Sequence, residues 1–362
     1  MFSAMDAASG CIALEMYIYA DDETGREFRS HLVFAASRGV SVMVLVDAWG
    51  SRLLPDGFWD ELISAGGMVR WFRPIKKGLL PFRNHRKLLI VDNRIAFVGG
   101  LNVADEYYHG REGEPPWRDN VIEITGGEVA VLRRSFSRMW RRAVRPLSRL
   151  ILRPGRRPPA DSATFVLDGG LRFLESGPGD PVQPMRMAYA RVIGNAKRDI
   201  SLAMGYFFPP GRVMRILRRA VKRGVRVRVL LPEKSDVPAA RWAARGLYGR
   251  LLRAGIEVWE YRPSMLHSKL AVADDTVVIG SANLDLRSAR LNYELVAVVN
   301  DKQLADRARA DFEDDLKCSL PICLDAWRRR PIIQKIKERF SYWLLARADL
   351  FVARMELMRR TW

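Results

Sequence analysis

His267 and Lys269 stand two residues apart at the head of an apolar run, Met265-Leu266-His267-Ser268-Lys269-Leu270-Ala271-Val272-Ala273-Asp274, and Gly280-Ser281-Ala282-Asn283 follows. If the run is a buried strand, side chains at i and i+2 share a face, so an imidazole lies beside an ammonium. An imidazole titrates near neutrality and can attack or carry a proton, while a fixed cation holds an anionic oxygen; a phosphate suits the pair best. One such pattern is weak, because a strand histidine is more often a packed residue than a catalyst. The chain carries a second copy: His85, Lys87 and Asp92 repeat the spacing of His267, Lys269 and Asp274, and Gly99-Gly100-Leu101-Asn102 follows them. Two of only four histidines occupy the pattern. His31 and His109 fall outside it.

The elements around the motifs repeat as well, which marks an internal duplication. A strand from Ile12, a helix over 24–37, the turn Arg38-Gly39-Val40 and a strand from Ser41 are matched by a strand from Ile200, a helix over 212–222, Arg223-Gly224-Val225 and a strand from Arg226. Short strands at Met68–Phe72 and 256–260 lead into the two motifs, and Asp92 and Asp274 open turns into further strands. Alternating strands and helices predict an α/β fold of two pseudo-symmetric lobes, each a mixed sheet flanked by helices, with the active site between them. The expected division is a first lobe over 1–152, a Pro- and Arg-rich connection over 153–163, a second lobe over 164–318 and a basic amphipathic tail over 319–362. The second lobe has an extra strand and the helix 184–197 ahead of its repeat. The first begins almost directly at its first strand, which leaves open a start further upstream.

The chain has 362 residues and a net charge of +19. Such charge points to polyanionic partners, either nucleic acid or an anionic membrane surface. It is concentrated: 133–157 holds ten arginines and no acid, and 327–362 holds ten basic residues and three acids. Both stretches interleave cations with Trp, Phe, Ile and Leu, the composition of an interfacial helix, although an amphipathic helix more often packs on its own core. No apolar run reaches the roughly 18 residues of a membrane span and no secretory leader is legible, so an intracellular protein is expected. Cys11, Cys318 and Cys323 read as buried free thiols.

The paired His-x-Lys-x4-Asp motifs, each with its downstream Gly and Asn, resemble those of the phospholipase D superfamily. Leu14–Gly25, Val98–Asn102, Trp117-Arg118-Asp119 and Gly280–Ser288 most resemble bacterial cardiolipin synthases of a short form without N-terminal transmembrane helices. The resemblance implies a phosphatidyltransferase that needs no cofactor or metal. One histidine, here assigned as His85, attacks phosphorus and His267 is acid and base, while Lys87, Lys269, Asn102 and Asn283 hold the phosphate oxygens. Ser281 is a further phosphate donor. Glu294 is the candidate to orient His267 and Asp119 to orient His85. Asp92 and Asp274 complete the motifs but sit at strand ends, where a structural role is expected. The loops 103–116 and 76–83 are candidate covers for the site.

The implied substrate is phosphatidylglycerol at the cytoplasmic side of a bacterial inner membrane, with peripheral attachment. Nucleic acid is the less expected partner, and oligomeric state stays open. A hydrolytic phospholipase D, a nuclease of the superfamily and a non-catalytic membrane-surface protein remain the alternatives.

Overall fold

The computed structural model describes residues 1–73, 82–111, 113–144, 165–166, 170–178, 184–285, 287–288 and 291–358. The connection at 153–163, the arginines between 145 and 157 and most of the loop 76–83 lie outside the described residues. The first lobe is a six-stranded sheet of β1 (Cys11–Met16), β2 (Ser41–Asp47), β3 (Met68–Phe72), β4 (Leu88–Val91), β5 (Ile95–Gly99) and β6 (Val121–Thr125), in the order β3-β2-β1-β4-β5-β6. The second has nine: β7 (Phe165–Val166), β8 (Leu171–Ser176), β9 (Asp199–Met204), β10 (Arg226–Pro232), β11 (Glu257–Tyr261), β12 (Lys269–Ala273), β13 (Thr276–Gly280), β14 (Glu294–Asn300) and β15 (Ser319–Pro321). Its order is β15-β11-β10-β9-β12-β13-β14-β8-β7.

Six strands correspond one to one. β1, β2 and β3 run parallel, as do β9, β10 and β11, because each connection is a helical crossover. β4-β5-β6 and β12-β13-β14 are antiparallel meanders joined to the central strands β1 and β9. The surplus in the second lobe is β7 and β8, added at the β14 edge, the helix Pro184–Asn195, and β15 at the other edge.

The two sheets share a core. Leu88, Ile90, Phe136 and Trp140 from the first half and Phe173, Leu270, Val272 and Phe312 from the second form one buried cluster, while separate clusters lie under the outer helices. Strands this apolar on both faces are those of a sheet covered on both sides. The basic helix Val129–Ala143 therefore belongs to the interior: Val131, Leu132, Phe136, Met139 and Trp140 are buried, so self-packing, not lipid, takes its apolar face. Cys318 and Cys323 are exposed and Cys11 is half-buried, all three as free thiols, which corrects the expectation of buried ones.

Asp92 and Asp274 stand at equivalent turns with φ of 52° and 50°. The Asp92 carboxylate accepts from the backbone N–H of Ser9, Gly10 and Cys11 at 2.7 to 2.9 Å, and Asp274 accepts from Lys197, Arg198 and Asp199 at 2.8 to 3.2 Å. Each ties the entry of its lobe's central strand to the end of the motif strand, remote from the histidine at the other end. These are the structural contacts expected of aspartates at strand ends, although both belong to the motifs that carry the catalytic histidines. Partial burial pushes both carboxyls up, but the three backbone donors outweigh it and hold them below the usual range. A depressed folded-state pKa contributes stability above the unfolded value and loses it as pH falls through the folded one. Asp92→Asn or Asp274→Asn is expected to cost about 1–2 kcal/mol at neutral pH and progressively less as pH falls through the folded-state pKa, with turnover per folded molecule unchanged. Urea unfolding over a series of falling pH values, run beside turnover at neutral pH, checks this.

Candidate active site

His85 and His267 precede β4 and β12 rather than lying within them, where sequence had placed them in the strand. Their backbones are held by the opposite lobe. The His85 N–H donates to the Tyr293 carbonyl at 3.0 Å and Tyr293 N–H to that of Arg83 at 2.8 Å; the His267 N–H donates to the Arg118 carbonyl at 2.8 Å and Arg118 N–H to that of Met265 at 2.9 Å. These crossed bridges decide which carboxylate meets which ring. Glu294, next to Tyr293, has both carboxylate oxygens 3.1 Å from Nδ1 of His85, and Asp119, next to Arg118, places Oδ2 2.6 Å from Nδ1 of His267. The expected pairings of Glu294 with His267 and Asp119 with His85 are thus exchanged. Asp119, two residues before β6, and Glu294, the first residue of β14, each follow a residue bonded to the other half, so each is delivered there.

The lobes use different devices to seat the two acids. Ser281, expected to face phosphate, instead donates its hydroxyl to Glu294 Oε2 at 2.5 Å and accepts from the Leu295 N–H at 3.0 Å. Its counterpart is Gly100, and a Cβ there would come within 2.2 Å of the Asp119 carboxylate. Asp119 occupies the space that a side chain would need.

Lys87 donates to the His85 carbonyl at 2.7 Å. Lys269 donates to the His267 carbonyl, with its Nζ 2.7 Å from Nδ1 of that ring and 3.6 Å from Asp119. One Nδ1 cannot both donate to a carboxylate and accept from an ammonium. The shorter, charge-assisted contact with Asp119 takes the N–H, leaving Nε2 of each ring with a lone pair. Burial, joined by Lys269, lowers His267 and keeps it neutral; burial also lowers His85 against the pull of Glu294. Asp119 is raised by burial but brought below the usual range by Lys269 and His267. Burial and Lys269 bring Lys87 down to about 7, and burial lowers Lys269 too. Two desolvated lysines facing each other call for an anion between them.

Asn102 spends its amide on the fold: Oδ1 accepts from the Ile18 N–H at 3.1 Å and Nδ2 donates to Tyr107 at 2.7 Å. Asn283 keeps a buried Oδ1 with no hydrogen-bond partner. Tyr107, from the loop 103–116, packs its ring 5.3 Å from His267, joined by Trp117 at 5.9 Å and Tyr206 at 6.2 Å, while Tyr17 stands 4.8 Å from His85. His31 stacks on Phe2 and meets Asp6, and His109 is an exposed residue near Glu23; neither belongs to this site. Among the described residues no group of three or more His, Cys, Asp or Glu side chains is arranged to hold a metal ion.

Sequence reasoning missed the supports of Asn84. Its N–H donates to the buried Asp47 at 2.9 Å and its Nδ2 to the buried Glu15 at 2.8 Å, with Arg86 3.2 Å from Glu15. The available signal was a carboxylate ending the apolar run of β2, since sites in sheets of this kind gather at the carboxyl ends of parallel strands.

A pseudo-symmetric pair of lobes with one histidine, one lysine and one carboxylate from each at their junction defines a phosphoryl-transfer site of the phospholipase D type. The family described as "Cardiolipin synthase, PLD-like domain" matches residues 1–140 and 189–316. The chain belongs to that family. It is 35% identical over 346 residues to the major cardiolipin synthase of Bacillus subtilis (strain 168), covering 94% of this chain and 71% of that protein. It is likewise 35% identical over 350 residues to cardiolipin synthase A of Pseudomonas putida (strain GB-1), with the same coverages. Among solved structures, phosphatidylserine synthase of Haemophilus influenzae Rd KW20 shares the fold, with a TM-score of 0.73 at 17% identity over 97% of this chain and 91% of that one.

A lysine lowered to about 7 carries its charge below that pH and loses it above. A bound anion raises its pKa, so affinity for a soluble phosphodiester is expected to fall above pH 7 by up to about tenfold per unit. Calorimetric titration from pH 6 to 9 checks this, and Lys87→Met is expected to remove that part of the slope.

Proposed function

We propose that this protein is a cardiolipin synthase-like phosphatidyltransferase that uses phosphatidylglycerol, bound peripherally at the cytoplasmic side of a bacterial membrane, and that the lobes 1–152 and 164–318 act as one catalytic unit. The observation that carries the reading is the junction itself: two buried imidazoles, each backed by a carboxylate from the other lobe, beside two buried lysines. Membership in a family whose curated relatives are named cardiolipin synthases selects the phosphatidyl group among phosphodiesters. The net charge of +19 suits an anionic lipid surface.

In this reading Nε2 of His85 attacks phosphorus, a P–N bond forms, and the P–O bond to glycerol breaks as His267 gives its Nε2 proton to the leaving oxygen. A hydroxyl of a second phosphatidylglycerol then returns a proton to His267 and attacks the same phosphorus. The P–N bond breaks, releasing cardiolipin and restoring both rings. The short contact with Asp119 supports His267 as the proton carrier, because an ionised carboxylate at 2.6 Å balances an imidazolium. The anionic phosphodiester adds to that carboxylate and raises His267 from its lowered resting state, so the acid forms when substrate is present. Lys87 and Lys269 offset the charge on the non-bridging oxygens. The unpartnered Oδ1 of Asn283 lacks a donor, and an acceptor hydroxyl is a donor of that kind.

Purified protein with phosphatidylglycerol vesicles is expected to yield cardiolipin and glycerol, separated by mass. His85→Ala and His267→Ala are each expected to lower turnover by about 10³-fold or more. Acid quenching of the wild-type protein during turnover is expected to trap a phosphatidyl adduct on His85, absent in His85→Ala. Phosphatidic acid as sole product contradicts transfer, and an adduct on His267 in a His85 variant reverses the roles.

A further inference from the structure

Resting on that lipid reading, we propose that the outward face of the helix Ile332–Met358 is a docking surface for an anionic bilayer and sets the catalytic cleft beside it. The inward side of this helix is fixed by the fold. Glu338 is fully buried, paired with Arg330 at 2.7 Å and lying 3.7 Å from Arg245. Gly246 of the helix Pro238–Arg253 admits the close approach: a Cβ there would meet the Glu338 carbonyl at 3.1 Å. Tyr342, also on the inward side, has its ring 4.8 Å from Phe208 and lies under Arg250. With that face committed, the opposite one cannot turn inward.

The opposite face carries Ile332, Ile333, Ile336, Phe340, Trp343 and Leu344, which are 43% to 72% exposed. At about 100° per residue these positions fall within an arc of roughly 120°, with Lys335 and Arg339 along one edge and Lys337 along the other. Glu338 is the only acid between Trp327 and Leu345, and it is buried. The outward face is therefore apolar with cationic edges, complementary to acyl chains below and anionic head groups around. The same charge argues against other occupants. A second copy would bring Lys335, Lys337 and Arg339 against their like, and the segment 133–157 of this chain itself holds ten arginines and no acid.

The inward side of the same helix adjoins the site. Phe208, in contact with Tyr342, donates its N–H to the Leu284 carbonyl at 2.8 Å, next to Asn283, and lies two residues beyond Tyr206, which faces His267. A bilayer on the outward face therefore lies one helix diameter, about 10 Å, from the wall of the cleft.

The full chain is sedimented with vesicles of phosphatidylglycerol and phosphatidylethanolamine. The triple variant Ile336→Ser, Phe340→Ser, Trp343→Ser is expected to bind about tenfold or more weakly, with unchanged melting temperature and unchanged turnover of short-chain phosphatidylglycerol kept monomeric. Replacing Lys335, Lys337 and Arg339 by Gln is expected to weaken binding to anionic vesicles and flatten its salt dependence. Brominated acyl chains are expected to quench tryptophan emission, less so in Trp343→Phe. Wild-type vesicle binding by the triple variant overturns the proposal, as does a change of oligomeric state in the triple variant with vesicle binding intact, which marks the face as a contact between copies. Vesicle binding that is lost in the triple variant upholds the surface even if the wild type makes no cardiolipin, a result that removes the activity reading alone. Cardiolipin synthesis together with undiminished binding by the triple variant removes the surface alone.

Discussion

Each of the two histidines at the lobe junction is held by a carboxylate from the other half of the chain, and the architecture follows from that exchange. Backbone bonds from Tyr293 to Arg83 and His85, and from Arg118 to Met265 and His267, stitch the halves across the pseudo-dyad. Glu294 and Asp119 ride on those stitches. Neither lobe alone contains a supported imidazole, so one site requires both. The shared core beneath, from Phe136 and Trp140 to Phe173 and Phe312, keeps the two sheets at the spacing that the stitches need.

Burial does the remaining chemistry. Lys87, Lys269, His85 and His267 are all less than a tenth exposed, so each would be costly to charge without a partner. The resting site compensates by leaving both imidazoles neutral and lowering both lysines. A phosphodiester supplies the missing negative charge, which favours the protonated lysines and the protonated His267. In the proposed reaction the substrate thereby assembles the ionisation states that its own transfer requires, and the aromatic side chains of Tyr107, Trp117 and Tyr206 pack around His267.

Much of this was legible in the residues, because duplication makes local patterns count twice. The α/β architecture, the matched strands and helices and the two His-Lys pairs follow from periodicity and spacing. What sequence missed is long-range. Glu294 and Asp119 were visible as carboxylates near the motifs, but which ring each serves depends on crossed bridges between segments some 150 to 210 residues apart. Ser281 belongs to the motif, yet its hydroxyl is taken by Glu294, and nothing local distinguishes that from a phosphate contact. The basic stretches divide for the same reason. The helix Val129–Ala143 and the helix Ile332–Met358 read alike in composition, but the first buries its apolar face in the core shared by the two sheets, while the second leaves Ile332, Ile333, Ile336 and Phe340 exposed.

The exchange of carboxylates is tested most directly by imidazole 15N and 1H resonances, tractable in a chain with four histidines. Asp119→Asn is expected to move the Nδ1–H signal of His267 and leave that of His85 in place, while Glu294→Gln moves His85 and leaves His267. A shift of His85 on replacing Asp119, or of His267 on replacing Glu294, with its crossed partner unmoved, would contradict the account.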